Sequence, residues 1–265
     1  MSFADKYGPC ALVVGAAIGL GAEFSRQLAA RGLDLILVSL ETDELAALAK
    51  ELEAAHGIRA QTVVGDITAP ETLAQIELCG AGTEIGLVVY NAGLSICGEW
   101  VDTPLESHLK VLDVNVTGMY RVVHRYAAPM LERGRGGVIL LSSMSGLLGT
   151  PMYASYASTK ALTLHLAETL WEEWRSKGVD ITAVIPGATE TPGYRKDNPR
   201  ENRSTPDVMA VGPVVAAGLN ALGRRPSVIP GRLNRISGTL LTRLLPRRTA
   251  IGIMGRSMRS TYGGR

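Results

Sequence analysis

Cysteine is scarce in this chain. Only Cys10, Cys79 and Cys97 occur, far apart and without C-x-x-C spacing. That excludes a disulfide framework and a thiolate metal cluster, and leaves buried or free thiols of a reducing compartment. Long apolar runs are missing too, and none approaches the roughly 18 residues of a membrane-spanning helix. The N-terminal run "CALVVGAAIGLG" is broken by Gly15, Gly19 and Gly21, which suits a strand and turn better than a secretory leader. A cytoplasmic protein is expected. His56, His108, His124 and His165 are scattered without ligand spacing, so each reads as a surface or packing residue and no metal site is expected. Internal repeats, low-complexity tracts and linkers are absent. Acids are absent from Arg224 to Arg265, which holds ten arginines; with a net charge of +2 overall, the preceding residues therefore carry −8. Those arginines sit on one tail without an aromatic stacking pattern, so nucleic-acid binding is not expected.

What is present is a globular composition. The 265 residues are 46% hydrophobic and 20% charged, ample for a core in one large α/β domain. Short apolar runs read as strands: "CALVVG" (10–15), "DLILVS" (34–39), "RAQTVVG" (59–65), "IGLVVYN" (85–91), "GVILLSS" (137–143), "VDITAVIPG" (179–187) and "PSVIPG" (226–231). Between them, "AEFSRQLAARG", "TDELAALAKELEAAHG", the segment from Leu105 to Arg133 and "YASTKALTLHLAETLWEEWRSKG" have helical spacing, three of them closing on glycine. Nearly unbroken apolar strands alternating with helices predict a parallel sheet covered on both faces. The expected architecture is a single-domain, Rossmann-type, doubly wound sheet. Residues 1–231 are expected to form the main unit, with a lid at 191–207, and residues 232–265 a basic amphipathic extension of it.

Two stretches carry chemistry. The first strand runs into Gly15-x-x-x-Gly19-x-Gly21 at the mouth of a helix. There glycines let the chain turn tightly and a pyrophosphate approach backbone N–H groups. The second is "YASYASTK" (153–160). Tyr156 and Lys160 are four apart and share a helix face, while Tyr153, seven from Lys160, lies on that stripe if the helix begins early. The residues alone leave both tyrosines open.

Together these features resemble a known family. The chain is similar to the classical short-chain dehydrogenases/reductases, which pair a G-x-x-x-G-x-G turn with Asn-Ala-Gly after the fourth strand and a Tyr-x-x-x-Lys dyad. They also carry a serine thirteen positions before that tyrosine and Pro-Gly after the sixth strand. Here these are Gly15/Gly19/Gly21, Asn91-Ala92-Gly93, Tyr156/Lys160, Ser143 and Pro186-Gly187, matched in order over about residues 8–230. Two positions depart, Val14 where the family often has Thr and Tyr90 where it often has Asn.

The resemblance selects Tyr156 as acid/base, with Ser143, Lys160 and Asn115 completing the catalytic set. It implies that Ser143 holds the substrate oxygen. Lys160 favours the Tyr156 phenolate and hydrogen-bonds the nicotinamide ribose, and Asn115 kinks the long helix and links Lys160 to water. Cofactor contacts are implied at Gly15, Ile18, Gly19, Gly21, Asp66, Ile67, Asn91, Ala92, Gly93, Tyr156, Lys160, Pro186, Gly187, Thr189 and Thr191. Asp66 would read the adenine amine, with Ile67 packed on the base.

The family's NADP branch commonly has two arginines just after the second strand, whereas this chain has Leu40 and Glu41. Glu41 is expected to accept from the ribose diol, so NAD is expected in preference to NADP. The implied activity interconverts a secondary alcohol and a ketone on a small hydrophobic substrate, cyclic, aryl or steroid-like. A 3-oxoacyl-type reductase and a non-catalytic nucleotide-sensing regulator on the same fold are the alternatives.

A homodimer or homotetramer is expected through the helix 156–177 and the long helix before it. On the former, Ala157, Ala161 and Leu164 make one apolar stripe and Leu162, Leu166, Leu170 and Trp174 a second. In the tail, Leu233, Ile236, Leu240, Leu241, Leu244 and Leu245 lie at near-helical spacing with arginines outside. The tail is expected to be a solvated helix facing a partner subunit, with peripheral membrane contact and capping of the substrate pocket as the other readings.

Overall fold

The seven Val-, Ile- and Leu-rich runs form seven strands in the computed structural model, which describes residues 2–197 and 208–262. They are β1 (Cys10–Val14), β2 (Asp34–Ser39), β3 (Ala60–Val64), β4 (Ile85–Tyr90), β5 (Gly136–Leu141), β6 (Val179–Val184) and the two-residue β7 (Ser227–Val228). All pair in parallel in one sheet, in the order β3-β2-β1-β4-β5-β6-β7. Every residue of β1, β4 and β5 is buried, as a sheet covered on both faces requires.

Alternate residues of each strand feed two cores. On one face Ala11, Val13, Leu35 and Leu37 pack with Phe24, Leu28, Leu45, Leu52, Val214 and Leu219. Those side chains come from α2 (Gly19–Ala29), α3 (Thr42–His56) and α9 (Val211–Ala221). On the other face Leu12, Val14, Ile36 and Val38 pack with Ile76, Met119, Val122, Met130, Leu164 and Trp174. These belong to α4 (Pro70–Cys79), α6 (Met119–Arg133) and α7 (Ala154–Arg175). A short α1 (Phe3–Tyr7) precedes β1, and α5 (Leu105–Leu112) runs into α6 through a π-helical turn at Asp113–Gly118. The strand order reverses between β1 and β4, which opens a crevice at their C-terminal ends.

The expected second apolar stripe on α7 needs correction. Trp174 is 7% exposed and lies in the sheet-facing core. Each i+4 step overshoots a turn by about 40°, so the twelve positions from Leu162 to Trp174 swing the stripe about 120° round the helix and onto the sheet. Leu162, Leu166, Leu170 and Trp171 stay half-buried.

After β6 comes the short α8 (Pro192–Asp197); the rest of the expected 191–207 lid, residues 198–207, lies outside the described residues. The tail forms α10 (Arg232–Thr239), a π turn at Leu240–Leu244 and α11 (Arg247–Tyr262). One amphipathic helix was expected there, but Leu245 is extended (φ −91°, ψ 143°) because a residue before proline is pushed out of the α region. Among the described residues no helix is long and apolar enough to cross a membrane.

Candidate active site

The C-terminal ends of three strands are tied together by backbone hydrogen bonds. Gly15 and Ala16 donate to the Val38 carbonyl (2.7 and 3.0 Å), and Asn91 and Ala92 to the Val14 carbonyl (2.9 and 2.8 Å). Gly15 and Gly19 have φ of +79° and +59°, the left-handed region that favours glycine. A Cβ on Gly21 would stand 1.8 Å from the Gly15 carbonyl oxygen, and that oxygen accepts the Asn91 side-chain amide at 2.7 Å. Glycine at these positions is therefore required by packing alone. What points to a ligand is the helix end beyond. Ile18 caps α2 without a side-chain hydrogen bond, so no side chain occupies the leading N–H groups there. Thr191 faces Gly19 from across the crevice, 3.1 to 3.2 Å from where its Cβ would be.

Asp66 follows β3. Its Oδ1 accepts the N–H and the hydroxyl of Thr68 (2.9 and 2.8 Å), and the Thr68 N–H chiefly holds the carboxyl below its ordinary range. Ile67 keeps its side chain in the core. Tyr90 is buried and donates its phenol to the Val114 carbonyl in the π turn at 2.6 Å. Glu41 begins α3 without capping it and accepts the Ser39 hydroxyl, while Leu40 is 66% exposed.

Asn115 is buried in the π turn, and its amide behaves like a strand partner. Oδ1 accepts the Leu94 N–H (2.7 Å), and Nδ2 donates to the Leu94 carbonyl (2.9 Å) and to Thr159 Oγ1 (3.0 Å). Thr159 in turn donates to the Tyr156 carbonyl at 2.7 Å. One amide thus pins both the segment after Asn91-Ala92-Gly93 and the first turn of α7. Gly93 lies between Asn115 and Lys160: a Cβ there would stand 3.2 Å from Lys160 Nζ and 3.7 Å from Asn115 Oδ1.

Lys160 is docked on the end of β5. Its Nζ donates to the Leu141 carbonyl, and its own carbonyl accepts the Ser142 hydroxyl, both at 2.7 Å. The ammonium lies 5.5 Å from the Tyr156 ring centroid, and burial pushes its pKa down to about 8. The 3₁₀ turn Met144–Leu147 presses on the same residue, since a Cβ on Gly146 would stand 2.6 Å from the Lys160 carbonyl carbon. Ser143 caps that turn, accepting from the Ser145 N–H and hydroxyl (3.2 and 2.9 Å). With two acceptor positions filled, its own proton remains to donate. Ser143, Tyr156 and Lys160 are therefore carried on two elements packed directly on each other. Tyr153 falls just before α7, buried, with its ring 5.9 Å from that of Tyr156.

The loop after β6 closes the far side. The Pro186 carbonyl accepts the Met144 N–H at 3.0 Å, and Thr189 Oγ1 donates to the Gly187 carbonyl at 3.0 Å. Thr191 Oγ1 accepts the Tyr194 N–H at 3.1 Å. Asn234 of α10 fills the place of a Gly187 side chain, 2.7 to 2.9 Å from its Cβ position.

One buried polar residue near the site stands outside the motifs. His108 is buried, with Nδ1 2.7 Å from Ser155 Oγ and Nε2 3.0 Å from the Trp100 carbonyl. A carbonyl only accepts, so Nε2 carries the proton and Nδ1 accepts from Ser155. Trp100 stacks on the imidazole at 4.2 Å. Gly98 donates to the Met152 carbonyl at 2.9 Å, so the 94–100 loop is anchored to the residues just ahead of Tyr156. The available signal was helical spacing: His108, Val111 and Asn115 share one buried face.

Known proteins share this fold. A family model described as short chain dehydrogenase matches residues 9–202. The 7beta-hydroxysteroid dehydrogenase of Collinsella aerofaciens is 30% identical over 240 residues, 89% of this chain and 91% of that protein. A solved 7beta-hydroxysteroid dehydrogenase superposes with a TM-score of 0.89 at 28% identity, covering 96% of this chain and 99% of the other. A short-chain dehydrogenase from Sphingobium yanoikuyae in complex with NADPH superposes with a TM-score of 0.75 at 29% identity, covering 84% and 87%.

Proposed function

Because this chain belongs to the short-chain dehydrogenase family, an oxidoreductase family acting on hydroxyl and ketone groups, we propose that it interconverts a secondary alcohol and a ketone on a hydrophobic, steroid-like substrate. Tyr156 is the acid/base, Ser143 the group that holds the substrate oxygen, and Lys160 and Asn115 its support. The observation that carries this reading is the docking of the buried Lys160 ammonium between the end of β5 and the Tyr156 ring.

The crevice residues fit a nicotinamide dinucleotide. The uncapped start of α2 and the left-handed Gly15 and Gly19 suit a pyrophosphate, and Asp66, Asn91, Ala92, Gly93, Pro186, Gly187, Thr189 and Thr191 would line the remainder. The bound cofactor supplies or takes up the hydride. In reduction the Tyr156 hydroxyl gives its proton to the carbonyl oxygen; in oxidation the phenolate takes it back. The Lys160 ammonium favours that phenolate, and Ser143 donates its remaining proton to the same oxygen. His108 and Asn115 hold the loop that borders this centre.

NAD is preferred on this reading, because Leu40 offers no charge and Glu41 repels a 2′-phosphate; the NADPH of the Sphingobium protein belongs to that protein. The steroid-like substrate is supported by the likeness to 7beta-hydroxysteroid dehydrogenase and by the buried ring of Tyr153 beside Tyr156. The chain is also proposed to act as a homo-oligomer through α6 and α7, where Leu162, Leu166, Leu170 and Trp171 of α7 stay half-buried. Residues 1–231 are proposed as its catalytic unit and 232–265 as a basic extension of the same domain.

The test is a panel of hydroxysteroids, aryl and cyclic alcohols and 3-hydroxyacyl thioesters, each with NAD and NADP. Turnover concentrated on the steroids with NAD supports the reading. Turnover confined to the thioesters, or none with any alcohol, overturns it.

A further inference from the structure

The tail carries its amphipathicity the wrong way round for a helix that packs on its own protein. In α10 the buried residues are Asn234 and Gly238. Asn234 donates to the Pro230 carbonyl at 3.1 Å and fills the space at Gly187. A Cβ on Gly238 would lie 3.3 Å from Ile229 and 3.5 Å from Leu147. The apolar side chains face outward: Leu233, Ile236, Leu240 and Leu244 are 62%, 65%, 44% and 71% exposed. Their spacing of three, four and four places them on one stripe. A contiguous exposed apolar strip on an ordered element marks an interface.

Charge selects what covers it. Helical phase sets Arg232 and Arg243 along the edge of the strip, and Arg235, Arg247 and Arg248 are exposed nearby. No acid occurs from Arg224 onward. Among the described residues, no ion pair engages any of these arginines. A second copy meeting this face across a two-fold axis would set arginines against arginines. An anionic lipid surface supplies both complements, acyl depth for the leucines and phosphate or carboxylate for the guanidinium groups.

We propose that the outer face of α10 and the following π turn docks this protein peripherally on an anionic lipid bilayer. The inference holds whichever alcohol the enzyme oxidises. The test is flotation of the full chain with phosphatidylcholine vesicles with and without phosphatidylserine, beside an L233S/I236S variant and an R232E/R243E variant. Both variants change exposed side chains outside the proposed catalytic set, so turnover of a soluble alcohol serves as the folding control. Wild type should float only with the phosphatidylserine vesicles, and each variant should lose at least about tenfold in partitioning. Raised salt should weaken the wild-type binding. Failure of wild type to float, or partitioning unchanged in both variants, overturns the proposal. A variant that instead changes the sedimentation coefficient would show the face covered by a second copy, which also overturns it.

Discussion

Lys160→Met should make this protein more stable near neutral pH while removing its activity. Lys160 is 5% exposed, and burial pushes its pKa from 10.5 to about 8. At about 1.4 kcal/mol per tenfold, holding that charge in the fold costs about 3 kcal/mol. Methionine has a similar reach and carries no charge, so the cost disappears. Against it stands the lost hydrogen bond to the Leu141 carbonyl, worth about 1–2 kcal/mol when the buried oxygen is left without a donor. The net gain at about pH 7 is therefore about 1–2 kcal/mol.

The pH dependence has a definite sign. The folded-state pKa lies below the unfolded one, so between about 8 and 10.5 the unfolded chain binds more protons and wild type gains stability as pH rises. The variant's advantage is full below about pH 8 and shrinks above it. Near pH 10 the order reverses, and above about pH 10.5 only the missing hydrogen bond remains. Urea unfolding of both proteins, free of cofactor, at several pH values between about 7 and 10 reads this directly. A variant less stable than wild type by the same amount throughout would refute the reasoning.

Two further substitutions test the neighbouring contacts. In L40R/E41R, guanidinium groups replace an exposed leucine and a carboxylate at the end of β2, and the NAD-to-NADP ratio of kcat/KM should fall by about ten- to a hundredfold; a wild type already preferring NADP would defeat the argument. In His108→Phe, Ser155 and the Trp100 carbonyl lose their partner, so stability should drop by about 1–3 kcal/mol. The alcohol KM should rise more than kcat falls, with cofactor affinity unchanged, and equal effects on all three would mean that His108 serves packing alone.

The strands were legible because parallel strands are buried on both faces and leave short unbroken apolar runs. All seven lie where those runs are, and strand–helix alternation implies their parallel pairing but not their order. Two helices on the sheet were not visible. In α9, "VGPVVAAGLNA", apolar residues surround the helix and glycine and proline interrupt it. Gly218 is there because a Cβ would stand 2.6 Å from Val184 Cγ2, a tertiary demand with no local sign. The helix α4 opens on Pro70 and buries only Thr72 and Ile76, too little for a clear period. The drift of i+4 steps carries Trp174 from the outer stripe onto the sheet, and Pro246 ends the first tail helix by holding Leu245 extended.

At the candidate site, spacing within one segment was readable and contact between segments was not. The interval of four puts Tyr156 and Lys160 on one face, while the choice of Tyr156 over Tyr153, and Ser143 with it, rests on the family resemblance. The hold of Asn115 on Leu94 does not, since its partners are backbone groups that every residue carries. His108 escaped for the same reason, because its meaning lies in Ser155 and a carbonyl at Trp100.

The central claim is that the Tyr156 hydroxyl moves the proton. Its most direct test is steady-state turnover of Tyr156→Phe on the best alcohol of the panel, with cofactor affinity measured beside it and Tyr153→Phe as the control. The account predicts a kcat reduced by at least about a thousandfold with cofactor binding intact, while Tyr153→Phe keeps substantial activity. A Tyr156→Phe enzyme that turns over within about tenfold of wild type, or a Tyr153→Phe enzyme that is the inactive one, would contradict it.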